Sequence, residues 1–357
     1  MATVAVVGGG YGGIAVATAL DEVADVVLID PRDSFVHTVA TLRGLVDPQW
    51  TERLFFPYPR LLTRGRFVRD AAAAVEPGGV TLASGERIEA DYIVLATGSS
   101  YPFPAKIDVL DSGAAATKLR TTREALAQAD GALLLGAGPA GLELAGEIRT
   151  VWPDKAVTIV DPAGDILSGR YPDELRHELR RQLAELDIEL ILGTSLAEQP
   201  PSEPAEAKTF TVTTHSGTQV TADIWFRCYG IVPSSGYLAG ALSAARQANG
   251  HVEVTDELRL PGQERVFAIG DLTALPETKM AKAAGEHAEV VAANILALES
   301  GEPLRAYTPA AQAIALPLGP YGGASYVEGM GVLGAEQTSQ IKGADLRIGA
   351  YAELFGR

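Results

Sequence analysis

A single cysteine, Cys228, serves the whole 357-residue chain. No CxxC or CxxxxC pair exists, which excludes dithiol–disulfide exchange within one chain. Cys228 stands in Trp225-Phe226-Arg227-Cys228-Tyr229-Gly230, at a strand end, and reads as a buried packing residue rather than a nucleophile. Five histidines occur without HxH or HExxH spacing, so no structural metal site is expected. Positive charge is also short: Lys+Arg 29 against Asp+Glu 45 gives a net charge of −16, which disfavours nucleic acid or an anionic membrane as a partner. No apolar run reaches the ~18 to 20 residues that span a bilayer. The chain enters its first strand by Thr3, and Ala2 follows Met1, so neither a cleavable leader nor a myristoylated glycine is expected. The expectation is a cytoplasmic protein, monomer or homodimer, whose membrane contact is at most peripheral.

What is present begins with two copies of one signature, 128 residues apart: Gly8-Gly9-Gly10-Tyr11-Gly12-Gly13 and Gly136-Ala137-Gly138-Pro139-Ala140-Gly141. Each reads GxGxxG, follows an apolar run (Thr3 to Val7, Ala132 to Leu135) and leads into a helical pattern. In such a strand–turn–helix unit the first glycine makes the turn, the second lets backbone approach a pyrophosphate, and the third lets helix pack on strand. The pyrophosphate then rests on the helix N-terminus. Each copy also carries an acid where a ribose diol would be held: Asp30, 22 residues beyond Gly8, and Asp161, 25 beyond Gly136. A lone GxGxxG is weak evidence; two complete units make coincidence improbable.

Strand and helix signals alternate through the first 300 residues, which predicts parallel sheets covered by helices. The first unit closes on Tyr92-Ile93-Val94-Leu95-Ala96-Thr97-Gly98. The stretch 198–204 is proline-rich and acidic and reads as a surface loop, while Phe210 to Thr214 and Gln219 to Phe226 read as a strand pair. Val266-Phe267-Ala268-Ile269 ends on Gly270-Asp271 and precedes an amphipathic helix from about Met280 to Leu298. The expected fold is α/β: two doubly wound, three-layer dinucleotide-binding domains, one made of residues 1–112 and 245–301, the other of 113–244. Residues 302–357, with Gly331 to Gly334 and Ile341 to Leu346, are expected to form a small strand-rich cap.

These four ordered motifs, the Gly8 turn with Asp30, Ala96-Thr97-Gly98, the Gly136 turn with Glu143, and Gly270-Asp271, resemble the glutathione-reductase type of flavoprotein with two dinucleotide domains. Asp33-Ser34-Phe35-Val36-His37 with Leu42-Arg43, Lys279-Met280-Ala281 through Gly285-Glu286-His287-Ala288, and Ile341-Lys342-Gly343-Ala344-Asp345-Leu346 are similar to the ferroptosis-suppressor and apoptosis-inducing-factor-like flavoproteins, relatives of type II NADH dehydrogenases. The resemblance covers nearly the whole chain. It implies an FAD enzyme that passes electrons from NAD(P)H to a quinone-like acceptor. Implied FAD contacts are Gly8, Gly9, Gly10, Tyr11, Gly12, Gly13, Asp30, Arg43, Ala72, Ala96, Thr97, Gly98, Gly270, Asp271, Lys279, Met280 and Ala281. Gly136, Gly138, Gly141 and Asp161 would hold the nicotinamide cofactor. Glu143 matches the acid near the nicotinamide, and Lys342 a functionally implicated tail lysine. Where type II dehydrogenases carry a glutamine-rich quinone segment, this chain has Lys282-Ala283-Ala284-Gly285-Glu286-His287.

Physical chemistry sharpens three expectations. Reduced flavin is anionic near N1, so the helix start after Asp271, with Lys279 or Lys282 beside it, would stabilise it. A carboxylate at Asp161 accepts hydrogen bonds from ribose hydroxyls and repels a 2′-phosphate, which predicts NADH over NADPH. Glu143 would position the nicotinamide for hydride transfer. Two other functions stay open at this level: reduction of a small iron–sulfur carrier, whose acidic surface a −16 chain would repel without a basic dock, and slow NADH sensing without rapid turnover.

Overall fold

A computed structural model describes residues 1–356. The first sheet is parallel throughout, in the order Val266–Ala268, Tyr92–Leu95, Thr3–Val7, Asp25–Ile29, Arg66–Val68. Alternation along Thr3–Val7 explains its burial on both sides. Val4 and Val6 join one core with Ile14 and Val16 of helix Tyr11–Leu20 and Val291 and Ile295 of helix Ala281–Ser300. Ala5 and Val7 join a second core with Val75, Val80 and Leu82, residues of the antiparallel sheet Ala72–Glu76, Gly79–Leu82, Arg87–Glu89. Each fully buried aliphatic side chain contributes roughly 1.5–3 kcal/mol, so a polar residue at Val6 would disrupt the layer from which the first turn emerges.

The second sheet repeats the plan: Ile188–Leu192, Ala156–Asp161, Gly131–Leu135, Ile224–Arg227, all parallel. Helix Pro139–Val151 covers one face through Leu142, Ala145 and Ile148. The hairpin Phe210–Thr213 with Gln219–Ala222 covers the other, packing Phe210, Val212 and Val220 on Leu133, Leu135 and Trp225. The expected strand pair at 210–226 is thus two elements: Asp223 ends the hairpin, and Ile224–Arg227 enters the parallel sheet instead. Residues 198–209 contain no helix or strand, as the proline-rich stretch suggested.

Ala313–Leu318, Gly322–Val327 and Gly331–Leu333 form an antiparallel sheet. It lies against helix Pro139–Val151 at Gly146, where a Cβ would come within 2.5 Å of the Leu318 Cα. The segment 341–346 departs from the expected strand character. Helix Ala335–Thr338 runs on into a wide helical turn over Ser339–Gly343, followed by helix Ile348–Leu354. Among the described residues, no helix is long and apolar enough to cross a membrane.

Candidate functional site

A cavity of about 580 Å³ opens over the carboxyl ends of the first sheet. Its floor is the first fingerprint turn, contributing Gly8, Gly10, Tyr11 and Gly12. Gly8 has φ +105°, and a Cβ there would sit 2.5 Å from the Ala96 carbonyl oxygen; a Cβ at Gly13 would overlap the Gly8 carbonyl. Gly10, by contrast, faces open space. The turn therefore requires glycine for closure and leaves a bare backbone surface, which suits a pyrophosphate. Helix Tyr11–Leu20 starts at Gly10 with no side-chain cap, so its first N–H groups stay available to an anion. A second uncapped helix start, at Met280, brings Ala281, Lys282 and Ala284 to the same cavity.

Asp30 is almost fully buried at the cavity wall. Its Oδ2 accepts the Gly9 N–H at 2.7 Å and its Oδ1 the Arg32 N–H at 2.8 Å. Burial pushes the carboxyl upward, against the Arg32 charge and these two bonds. Asp161 repeats the arrangement in the second unit: Oδ2 accepts from Ala137 N–H at 2.6 Å and Oδ1 from Ala163 N–H at 2.7 Å. Each acid thus holds its own fingerprint turn and keeps further lone pairs for a ribose diol.

At the other end of the cavity, Asp271 Oδ2 accepts the Ser99 hydroxyl at 2.6 Å and the Lys106 ammonium at 3.2 Å. Gly270 donates its N–H to Nδ1 of the fully buried His287 at 2.9 Å. The opposite ring nitrogen, Nε2, lies 2.7 Å from Glu277 Oε1, and Glu277 Oε2 accepts the Tyr307 hydroxyl at 2.7 Å. That pairing fixes the neutral tautomer with its proton on Nε2. Burial works against a Glu277 charge, yet the His287 and Tyr307 bonds win and hold its carboxyl below the usual range. Lys279 lines the cavity and donates to the Leu275 carbonyl at 2.8 Å; burial lowers its pKa, opposed by Glu277 and Asp271.

Of the residues singled out in sequence, Gly8, Gly10, Tyr11, Gly12, Asp30, Ala96, Thr97, Gly98, Gly270, Asp271, Lys279, Met280, Ala281 and Lys342 converge on this cavity. Gly9 and Gly13 lie behind the turn, Gly9 giving its carbonyl to the Tyr58 hydroxyl. Two of the expected contacts lie away from it. Arg43 does not line the cavity: it is buried in an ion pair with Glu147 and donates to the Gly343 carbonyl. Ala72 lies in the antiparallel sheet behind the parallel one and does not line the cavity either. Gly136, Gly138, Gly141 and Asp161 form their own strand–turn–helix unit outside it. Glu143 joins the two regions, with Oε1 2.7 Å from Lys342 Nζ. Cys228 is buried, which pushes its thiol up to about 12.

Sequence reasoning gave no role to Lys106, Glu277 or His287. His287 carried a faint signal, a histidine on the apolar face of an amphipathic helix; Lys106 carried none. The partner of Lys106, Asp271, lies 165 residues away along the chain, whereas His287 meets Glu277 only 10 residues away, across a turn that the sequence pattern does not reveal.

The family model for pyridine nucleotide-disulphide oxidoreductases matches residues 2–288. Ferroptosis suppressor protein 1 of Taeniopygia guttata is 33% identical over 332 residues, 91% of this chain and 88% of its own. Apoptosis-inducing factor homolog B of Dictyostelium discoideum is 28% identical over 98% of this chain and 95% of its own. Among solved structures, the sulfide:quinone oxidoreductase of the hyperthermophilic bacterium Aquifex aeolicus aligns with a TM-score of 0.77 at 21% identity, covering 100% of this chain and 92% of that one. A ferredoxin reductase from Rhodopseudomonas palustris aligns with a TM-score of 0.70 at 18% identity, covering 92% and 88%. These two likenesses concern the fold.

Proposed function

The chain belongs to the pyridine nucleotide-disulphide oxidoreductase family and is an FAD-dependent NAD(P)H oxidoreductase, and on that premise we propose that it oxidises NADH and reduces a quinone. Bound FAD supplies the two-electron relay between the nicotinamide and the acceptor. The first turn and the helix behind it hold the FAD pyrophosphate, and Asp30 holds the adenine ribose. Asp271, kept in place by Ser99 and Lys106, holds the ribityl chain. The Met280 helix start and Lys279 favour negative charge at the flavin end.

The observation that carries the acceptor is the wall opposite the first turn. Ala313, Ile314, Ala315, Val327 and Ile341 of the tail give the cavity an apolar wall. With one buried cysteine, the chain has no dithiol to relay electrons outward, so the reduced flavin passes its electrons to the acceptor directly. A planar apolar quinone suits the apolar wall, whereas an acidic carrier protein would need a basic dock on a chain of net charge −16. The second turn holds NADH, where the Asp161 carboxylate favours ribose hydroxyls over a 2′-phosphate. Glu143 orients the nicotinamide and Lys342 holds Glu143.

An acceptor screen tests this assignment. Purified FAD-loaded protein with NADH is expected to reduce benzoquinones faster than iron–sulfur carriers or oxygen, with higher kcat/KM for NADH than for NADPH. Faster turnover with a carrier protein, or a preference for NADPH, would overturn the corresponding half.

A further inference from the structure

The two nucleotide units share strand pairings, backbone hydrogen bonds and glycine conformations, and the exceptions to that repetition point to a site. Val7 pairs with Leu95 in the first sheet and Leu135 with Arg227 in the second. The next residue bonds back identically: Ala96 N–H donates to the Val7 carbonyl and Cys228 N–H to the Leu135 carbonyl, both at 2.8 Å. Gly8 rests on the Ala96 carbonyl, Gly136 on that of Cys228. Gly98 and Gly230 both take positive φ. Residues 227–230 are thus the second copy of 95–98.

In the first copy, Ala96 to Ser100 line the cavity on the flank of the central strand opposite Asp30. In the second, Ile224–Arg227 likewise lies on the flank opposite Asp161. Neighbouring strands are about 4.8 Å apart, so a dinucleotide whose adenine ribose sits at Asp161 and whose pyrophosphate crosses the Gly136 turn must lay its nicotinamide half over the end of this third strand. The same flank faces the first unit: Tyr101 donates its hydroxyl to the Cys228 carbonyl at 2.6 Å, and Ser100 pairs with Val232.

Here the copies differ in chemistry. Leu95, a fully buried core residue, is replaced by Arg227, and Thr97, whose hydroxyl is hydrogen-bonded to Ser234 and Tyr237, is replaced by Tyr229. The Arg227 guanidinium lies 5.8 Å from the Tyr229 ring centre and 6.0 Å from that of Trp225. Its buried Nε has no hydrogen-bond partner, and no carboxylate pairs with it among the described residues. Tyr229 is 49% exposed. A partly buried cation without an anion is costly unless a ligand supplies one.

We infer that Arg227 and Tyr229 form the subsite for the nicotinamide mononucleotide half of NADH, Arg227 contacting the nearer phosphate and Tyr229 covering the nucleoside. This rests on the second fingerprint being the NADH site. Isothermal titration of the FAD-loaded protein with NADH, NADPH and AMP tests it, because AMP carries only the adenosine half. Arg227→Met and Tyr229→Ala are expected to weaken NADH about tenfold or more and leave AMP unchanged, with Arg227→Lys and Tyr229→Phe recovering part of the loss. Equal losses for AMP and NADH would overturn the subsite. So would a loss confined to NADPH, which would make Arg227 a reader of the 2′-phosphate. Wild-type protein that binds neither NADH nor AMP would remove the NADH site itself, an outcome distinct from the other two.

Discussion

Arg43 and Glu147, 104 residues apart, form an ion pair at 2.8 Å with both side chains buried. Nη1 of Arg43 also donates to the carbonyls of Gly343 at 2.7 Å and Ala344 at 3.2 Å. One guanidinium thus ties helix Thr41–Val46 to helix Pro139–Val151 and to the tail turn. Removing one partner leaves the other charge buried and alone, which costs about 3–5 kcal/mol. Arg43→Ala and Glu147→Ala should each lower stability by that amount in urea melts. A loss below about 1 kcal/mol, the level of an exposed pair, would contradict a buried structural role.

One turn further back on the same helix, Glu143 meets Lys342 at 2.7 Å with both side chains mostly buried. If Glu143 orients the nicotinamide, its loss should slow hydride transfer more than it weakens binding. Glu143→Ala is expected to cut the stopped-flow rate of flavin bleaching by NADH by on the order of 10- to 100-fold. Lys342→Met should act through Glu143, so the double variant should be no slower than Glu143→Ala alone. Additive losses would separate the two residues.

The parts legible in sequence are those where backbone geometry dictates residue type locally. Gly8 and Gly136 sit at positive φ against a neighbouring carbonyl, a place no other residue fits, and Asp30 and Asp161 each follow at the end of the next strand, where their carboxylates accept from the turn. The illegible parts depend on distant partners. Ile341 to Leu346 carries β-branched and apolar residues at extended-looking spacing, yet Arg43 accommodates the freed carbonyls of Gly343 and Ala344 and stabilises a helical turn. Gly343 packs so closely on the Pro320 carbonyl that a Cβ would lie 2.9 Å away. Arg43 shows the same dependence: its partners, Glu147 and the Gly343 carbonyl, come from two other parts of the chain.

His37 gives the fold a pH dependence. Its Nε2–H donates to the Leu346 carbonyl at 2.8 Å and its Nδ1 accepts the Tyr11 hydroxyl at 3.1 Å. Burial, with help from the Lys342 charge and against the Leu346 bond, lowers its pKa from 6.5 to about 4. The folded protein therefore binds fewer protons than the unfolded chain between those values. His37 contributes its full stability above about pH 6.5 and loses it as pH falls toward 4, by about 3 kcal/mol in total. Urea midpoints measured from pH 7 to pH 4.5 should fall in the wild type and fall less in His37→Gln. Parallel profiles would assign the acid sensitivity elsewhere.

His287 acts on the cofactor cavity without lining it. Its Nδ1 accepts the N–H of Gly270, whose φ of +68° sets the direction in which Asp271 leaves the strand. Replacing it with alanine strips a buried N–H of its acceptor and takes one donor from Glu277, a penalty of about 1–3 kcal/mol. Because the freed backbone carries Asp271, that penalty should appear as weaker FAD retention, about 10- to 100-fold by the same conversion. Flavin fluorescence on dilution reports the release directly. Asparagine places an oxygen near the position of Nδ1 without reaching Glu277, so His287→Asn should restore much of the FAD affinity if the Gly270 bond is what matters. Equal FAD loss in both variants would shift the role to the Glu277–Tyr307 side of the ring.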